Sequence, residues 1–127
     1  MKKFTFETKI ITIGHLPGHT NGKVALLKAN GFSDVSAILC ESMPAEEVKA
    51  ILKSSPNAFF LVGGAMMMGF PDLMADLLSF ISAECPTILV HKTIKADFDA
   101  DATWPPTEQQ VNKSALNICM RMLEQGG

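Results

Sequence analysis

The chain lacks most of the features that announce a function. Its cysteines are only Cys40, Cys85 and Cys119. That odd, widely spaced set has no C-x-x-C pair, so neither a disulfide framework nor a zinc site is expected, and reduced thiols in a cytoplasmic protein are. No apolar run is long enough to span a bilayer. Residues 1–13 begin with two lysines but alternate apolar with polar, without the continuous apolar stretch and small-residue cleavage site of a signal peptide. Charge of one sign is also missing: 11 Lys and Arg stand against 13 Asp and Glu, a net charge of -2. Nucleic acid and anionic membrane are therefore not expected as partners. No linker, internal repeat or low-complexity tract divides the sequence.

What remains is the composition of an ordinary globular domain. The 127 residues are 47% hydrophobic and 19% charged, enough to bury a core without staples, and one domain over 1–127 is expected. Lys9–Ile13 is a β-branched run closed by Gly14 and reads as a buried strand, with Phe4-Thr5-Phe6 extending it or pairing separately. A loop over 14–22 then leads to a helix over 22–30, stopped by Gly31. A second strand is expected over 35–40, followed by a helix opened by Ser42 and Pro44 with Val48, Ile51 and Leu52 on one face. The third strand, 58–62, ends in Gly63-Gly64. Beyond a Met-rich loop, Pro71 starts a helix carrying Leu73, Leu77, Leu78 and Ile81. A fourth strand over 87–90 precedes a polar, acidic loop over 93–106. Thr107 with Gln110 forms a capping box for a last helix, whose stripe is Val111, Ala115, Ile118, Met122 and Leu123.

Strands apolar on both faces and separated by helices belong to parallel sheets covered on both sides, and right-handed crossovers leave few topologies. The expectation is an α/β protein of the three-layer, flavodoxin-like or Rossmann-like kind: about four strands in the order 2-1-3-4, with helices on both faces. Ligands of such sheets bind outside the carboxyl ends of the strands where the order reverses. That places a crevice between residues 14–22 and residues 63–70.

Polar residues gather at those strand ends: Gly14-His15 after the first strand, Cys40-Glu41-Ser42 after the second, Gly63-Gly64 after the third and His91 after the fourth. The candidate ligand-binding set is accordingly His15, Gly18, His19, Thr20, Asn21, Gly22, Cys40, Glu41, Ser42, Gly63, Gly64 and His91, with imidazoles and backbone amides as its polar groups. The glycine-bearing loop 14–23 misses the P-loop, because only three residues separate Gly18 from Gly22-Lys23 and Val24 replaces the magnesium-binding hydroxyl. Running into a helix N-terminus, it can still present amide hydrogens to a phosphate or carboxylate. Asp97, Asp99, Asp101 and Glu108 have the carboxylate spacing of an EF-hand. Ala102 and the Pro105-Pro106 pair do not suit that loop, so a solvated acidic loop and no metal are expected.

His19-Thr20-Asn21-Gly22-Lys23, with the Leu-bearing helix that ends Ala29-Asn30-Gly31-Phe32, resembles the D-x-H-x-x-G segment and helix of cobalamin-binding domains, the flavodoxin-like module of methionine synthase and the B12-dependent mutases. Similar spacing continues through Val35, Pro44-Ala45-Glu46-Glu47 and Gly63-Gly64-Ala65. The resemblance implies the fold, and it implies His19 as the lower cobalt ligand, a role in which an aspartate orients the imidazole. Pro17 occupies the aspartate position, glycine replaces the hydroxyl expected near the end of the third strand, and no Gly-Gly follows the fourth. The expectation is therefore a small-molecule-binding or regulatory domain related to these modules, its cofactor unknown and cobalamin not favoured. The alternatives are a small enzyme using His15, His19, Cys40, Glu41 and His91, with Cys40 as nucleophile, and a dimeric assembly module. A homodimer is expected from the two open sheet edges and the Met-rich loop.

Overall fold

In a computed structural model, residues 3–63, 69–94, 97 and 107–126 are described. The elements are β1 (Ile10–Gly14), α1 (Pro17–Ala29), β2 (Val35–Leu39), α2 (Ala45–Lys53), β3 (Phe59–Val62), α3 (Pro71–Glu84), β4 (Leu89–Lys92) and α4 (Glu108–Gly126). The four strands form one parallel sheet in the order β2-β1-β3-β4. The three-layer flavodoxin-like fold expected from the sequence is the fold observed.

The period of two along each strand divides the sheet into two unlike faces. Ile11, Ile13, Ile38, Phe60 and Val62 turn to one side and pack with Val48 and Leu52 of α2 and Met74, Leu77 and Ile81 of α3. Ile10, Val35, Phe59 and Leu61 turn to the other and pack with Leu27 of α1 and Ala115, Ile118 and Cys119 of α4. The register keeps these sets aligned: Ile10 lies opposite Val35 and Phe59, and Ile13 opposite Ile38 and Val62. Gly31, at φ +103°, ends α1 in a conformation that glycine adopts without strain. The capping box of α4 is reciprocal, the Gln110 N–H donating to Thr107 Oγ1 (3.2 Å) and the Thr107 N–H to Gln110 Oε1 (2.7 Å). Among the described residues no helix is long and apolar enough to cross a membrane.

Three expectations need correction. Residues 17–22 are not loop, because α1 starts at Pro17, whose fixed φ suits the first helical position. Gly18 and Gly22 are thus helical residues one turn apart, and their role is close approach. A Cβ on Gly18 would stand 2.5 Å from Glu108 Oε2, and one on Gly22 would overlap Asn112 Nδ2, so the glycines let α4 settle against α1. The fourth strand is shifted from 87–90 to Leu89–Lys92, since the Ile88 N–H is taken by the Cys85 carbonyl and the ladder to β3 begins with Leu89 donating to Ala58. Phe4-Thr5-Phe6 forms no strand. Thr5 and Thr8 close a turn, and Phe4 sits edge-on to Phe59 with ring centroids 5.2 Å apart.

Candidate functional site

The sheet order reverses between β1 and β3, and the elements leaving those strands frame the carboxyl edge. Gly14 ends β1 flat against the first turns of α1, where a Cβ would lie 2.5 Å from Thr20 Oγ1. Thr20 is buried, and its hydroxyl donates to the Leu16 carbonyl at 2.9 Å. The buried Thr12 hydroxyl lies 3.4 Å from the Thr20 carbonyl and 3.4 Å from that of Ser36. These contacts tie the start of α1 to β1. Thr20 is therefore a packing residue with its hydroxyl already used.

The next inward position on α1 is Lys23, a charged residue in line with Thr20 and Leu27 on the buried face. It is 3% exposed, and its Nζ lies 3.3 Å from where a Cβ on Gly63 would stand at the end of β3. Burial pushes the amine down to about 8. Among the described residues no carboxylate lies within ion-pair distance of it. His19, one turn earlier, is half-buried. Its pKa is lowered chiefly by burial and also by the Lys23 charge and by His15, with Glu108 opposing. His15 packs edge-on to Phe70 at 5.4 Å, with the backbone of Gly69 close to the ring. Its Nδ1 is buried without a hydrogen-bond partner, as is Asn112 Oδ1 on the α4 side of the helix pair.

The structure therefore places His19 and Gly63 of the expected set beside Lys23, with His15 next to His19. It gives other members different roles. Gly18 and Gly22 face α4, and Asn21 is exposed. Cys40 is half-buried, its N–H donates to the Gly14 carbonyl at 3.0 Å, and burial pushes its thiol up to about 11. Glu41 and Ser42 are exposed, and the Ser42 hydroxyl turns back to the Leu39 carbonyl at 3.2 Å. Gly64 lies outside the described residues.

His91 belongs to a second location. The shift of β4 puts it inside the strand, opposite Leu61, where sequence reading had it beyond the strand end. Its Nε2 is 3.9 Å from Asp97 Oδ2, and Asp97 also receives the Ile94 N–H at 2.9 Å and lies 3.5 Å from the Arg121 guanidinium. Burial is the main force lowering the His91 pKa, with Asp97 opposing it and Arg121 adding to it. Phe59, Leu89, His91 and Met122 line an open cleft of about 280 Å³ there. Asp97 of the EF-hand-like series is thus engaged locally, while Asp99 and Asp101 lie outside the described residues. Among the described residues, no three His, Cys, Asp or Glu side chains are grouped to hold a metal.

Lys23, Glu108 and Asn112 are the residues that sequence reading left out of the site. Lys23 had a visible signal: with α1 begun at Pro17, it falls on the buried stripe between Thr20 and Leu27, where a charge is unexpected. Glu108 and Asn112 had none, because only the tertiary approach of α4 to Gly18 and Gly22 brings them there. No protein-family model, no curated protein and no solved structure matches the chain.

Proposed function

We propose that the chain is a small-molecule-binding domain of regulatory rather than catalytic type. Its ligand carries negative charge and sits at the carboxyl edge between β1 and β3, with Lys23 as anchor and His15 and His19 beside it. The observation that carries this reading is the burial of the Lys23 ammonium with no carboxylate on it among the described residues. Taking a cation out of water is costly unless a counter-charge meets it, and a ligand carboxylate or phosphate supplies one. The orphaned Nδ1 of His15 adds a polar atom with an unmet hydrogen bond at the same edge. A cytosolic setting accords with three free thiols.

The residues do not fit cobalamin well. In the related modules the imidazole is held by an aspartate, and here that position is Pro17, the first residue of α1, which offers no acceptor. His19 itself is flanked by Lys23 and Glu108. Cys40 is a poor nucleophile with its thiol pushed up to about 11, which favours a binding role over thiol catalysis.

Native mass spectrometry of the purified protein, together with melting curves in inorganic phosphate and in citrate, tests the reading. An anion that binds the folded state at a hundred times its Kd stabilises it by about 2.7 kcal/mol. The expected result is a rise in Tm that Lys23→Met abolishes. No rise with either anion, or a rise indifferent to Lys23→Met, would count against the site. The same spectra read the oligomeric state, where the open edges β2 and β4 favour a dimer.

A further inference from the structure

Of the four described strands, only β4 has no buried residue. Leu89 shares the sheet face of Phe59, the face packed by α1 and α4. Because α4 settles against α1 at Gly18 and Gly22, Leu89 is left 37% exposed. The uncovered strip is the floor of the open cleft of about 280 Å³, and α4 supplies a wall with Ile118, Arg121, Met122 and Gln125 at three- and four-residue spacing. Phe59, Leu89, Ile118 and Met122 make most of this lining apolar, while its charged groups, Asp97 and Arg121, are gathered beside His91.

The hydrogen bonds at that cluster show which chemistry is left over. Asp97 Oδ2 accepts the Ile94 N–H at 2.9 Å with His91 Nε2 at 3.9 Å, and Oδ1 accepts from Arg121 Nη2 at 3.5 Å, so both carboxylate oxygens are engaged. A guanidinium carries five N–H donors in one plane, and among the described residues Asp97 is the only hydrogen-bond partner of this one. The rim therefore offers donors in excess of acceptors, in the planar form that matches a carboxylate. Its complement is a ligand that brings an acceptor group to Arg121 and an apolar body to Leu89 and Met122. We infer that the cleft between β4 and α4 binds a small carboxylate with an apolar body, an aryl or branched aliphatic acid. It shares no residue with the anion site proposed around Lys23, and the two stand or fall separately.

The experiment titrates the whole protein, labelled at its Leu and Met methyl groups, with 4-fluorobenzoate at pH 7 and, in parallel, with its uncharged counterpart 4-fluorobenzamide. The Leu89 and Met122 methyl signals are expected to shift with the acid, at a Kd below about 1 mM. The amide is expected to bind about tenfold more weakly, and Arg121→Gln to weaken the acid by a similar factor, the scale of one charge-assisted hydrogen bond. Arg121 is exposed, so that replacement leaves the packing of α4 in place. Leu89→Asp, which sets a like charge in the floor, is expected to abolish binding. Lys23→Met is expected to bind 4-fluorobenzoate as the unaltered chain does, whereas phosphate and citrate, having no apolar body, leave both methyl signals unmoved. Equal binding of acid and amide, or binding of the acid indifferent to Arg121→Gln, would overturn the carboxylate assignment. Unmoved Leu89 and Met122 signals, or binding lost in Lys23→Met, would overturn the site itself.

Discussion

The side of the sheet under α2 and α3 joins Ile11, Ile13, Phe60 and Val62 to Val48, Leu52, Leu77 and Ile81, and its one buried hydroxyl, Ser55 at the end of α2, is used up on the Ile51 carbonyl of the same helix. The side under α1 and α4 has its own apolar cluster, but it also buries Thr12, Thr20, Lys23 and Ser114. Packing alone accounts for the first side, since interchangeable hydrophobic residues of the right volume fill it. It does not account for the second, where a lysine and several hydroxyls occupy space that apolar side chains would fill at less cost. Local choices that work against stability concentrate where a protein does something besides fold. On the proposed reading, the α2/α3 side supports the fold and the α1/α4 side holds the ligand.

The largest effect expected from this contrast is on the apolar side. Leu77, fully buried between α3 and the sheet, has nothing to do but pack. Leu77→Ala is expected to lower stability by about 2–5 kcal/mol in urea unfolding, through lost transfer energy and the cavity left behind. The anion-induced rise in Tm is expected to survive in this variant. Loss of that rise along with stability would break the division of labour between the two sides.

Lys23→Met on the opposite side is expected to act with the opposite sign. The folded-state amine is held at about 8 against an ordinary 10.5, so folding costs roughly 3 kcal/mol while the unfolded chain keeps that proton. Because the folded pKa is depressed, the unfolded state binds more protons between pH 8 and 10.5, and stability from this group rises with pH through that window. In the absence of ligand, Lys23→Met is therefore expected to be the more stable protein at pH 7, by up to about 3 kcal/mol. Its advantage shrinks as pH rises past 8. The thiols of Cys40 and Cys119, pushed up to about 11 and about 12, act in the reverse direction above pH 9. Since both proteins carry those thiols, the difference between their urea midpoints isolates the lysine. A difference that does not change between pH 7 and 9.5 would mean that Lys23 is not buried as a cation.

The apolar side was also the legible one. The stripes Val48, Ile51, Leu52 and Leu73, Leu77, Leu78, Ile81 state their period in the sequence, and Pro71 and Gly31 mark helix ends by the conformations they permit. The strand order followed because right-handed crossovers leave few ways to bury four such strands. On the α1/α4 side the same rules misled. Gly18 and Gly22 have the composition of a loop, and their reason for being glycine is a contact with Glu108 and Asn112, some ninety residues away in sequence. Reading them as loop hid the helical frame that puts Lys23 on the buried stripe. His91 was misplaced for a related reason: a two-residue shift in β4 carries a residue from beyond the strand into it, and local composition does not fix where a parallel ladder starts.

The smallest expected effects come from those two glycines, and they test whether α4 truly rests on α1. Replacing a helical glycine by alanine gains up to about 1 kcal/mol from backbone propensity. At Gly18 the obstacle is the carboxylate end of Glu108, an exposed and flexible side chain that can swing away. Gly18→Ala is therefore expected to be neutral or to stabilise by up to about 1 kcal/mol. At Gly22 the added Cβ would overlap the amide of Asn112, a short, half-buried side chain held between the two helices. There the strain of overpacking, about 1–3 kcal/mol, outweighs the propensity gain, and Gly22→Ala is expected to destabilise by about 1 kcal/mol. Gly22→Ala combined with Asn112→Ala removes the clash, so the double variant is expected to recover part of the loss, a coupling that a double-mutant cycle reads directly. If both glycines behaved alike, or if Asn112→Ala gave no recovery, close packing of α4 on α1 would not be the reason these positions are glycine.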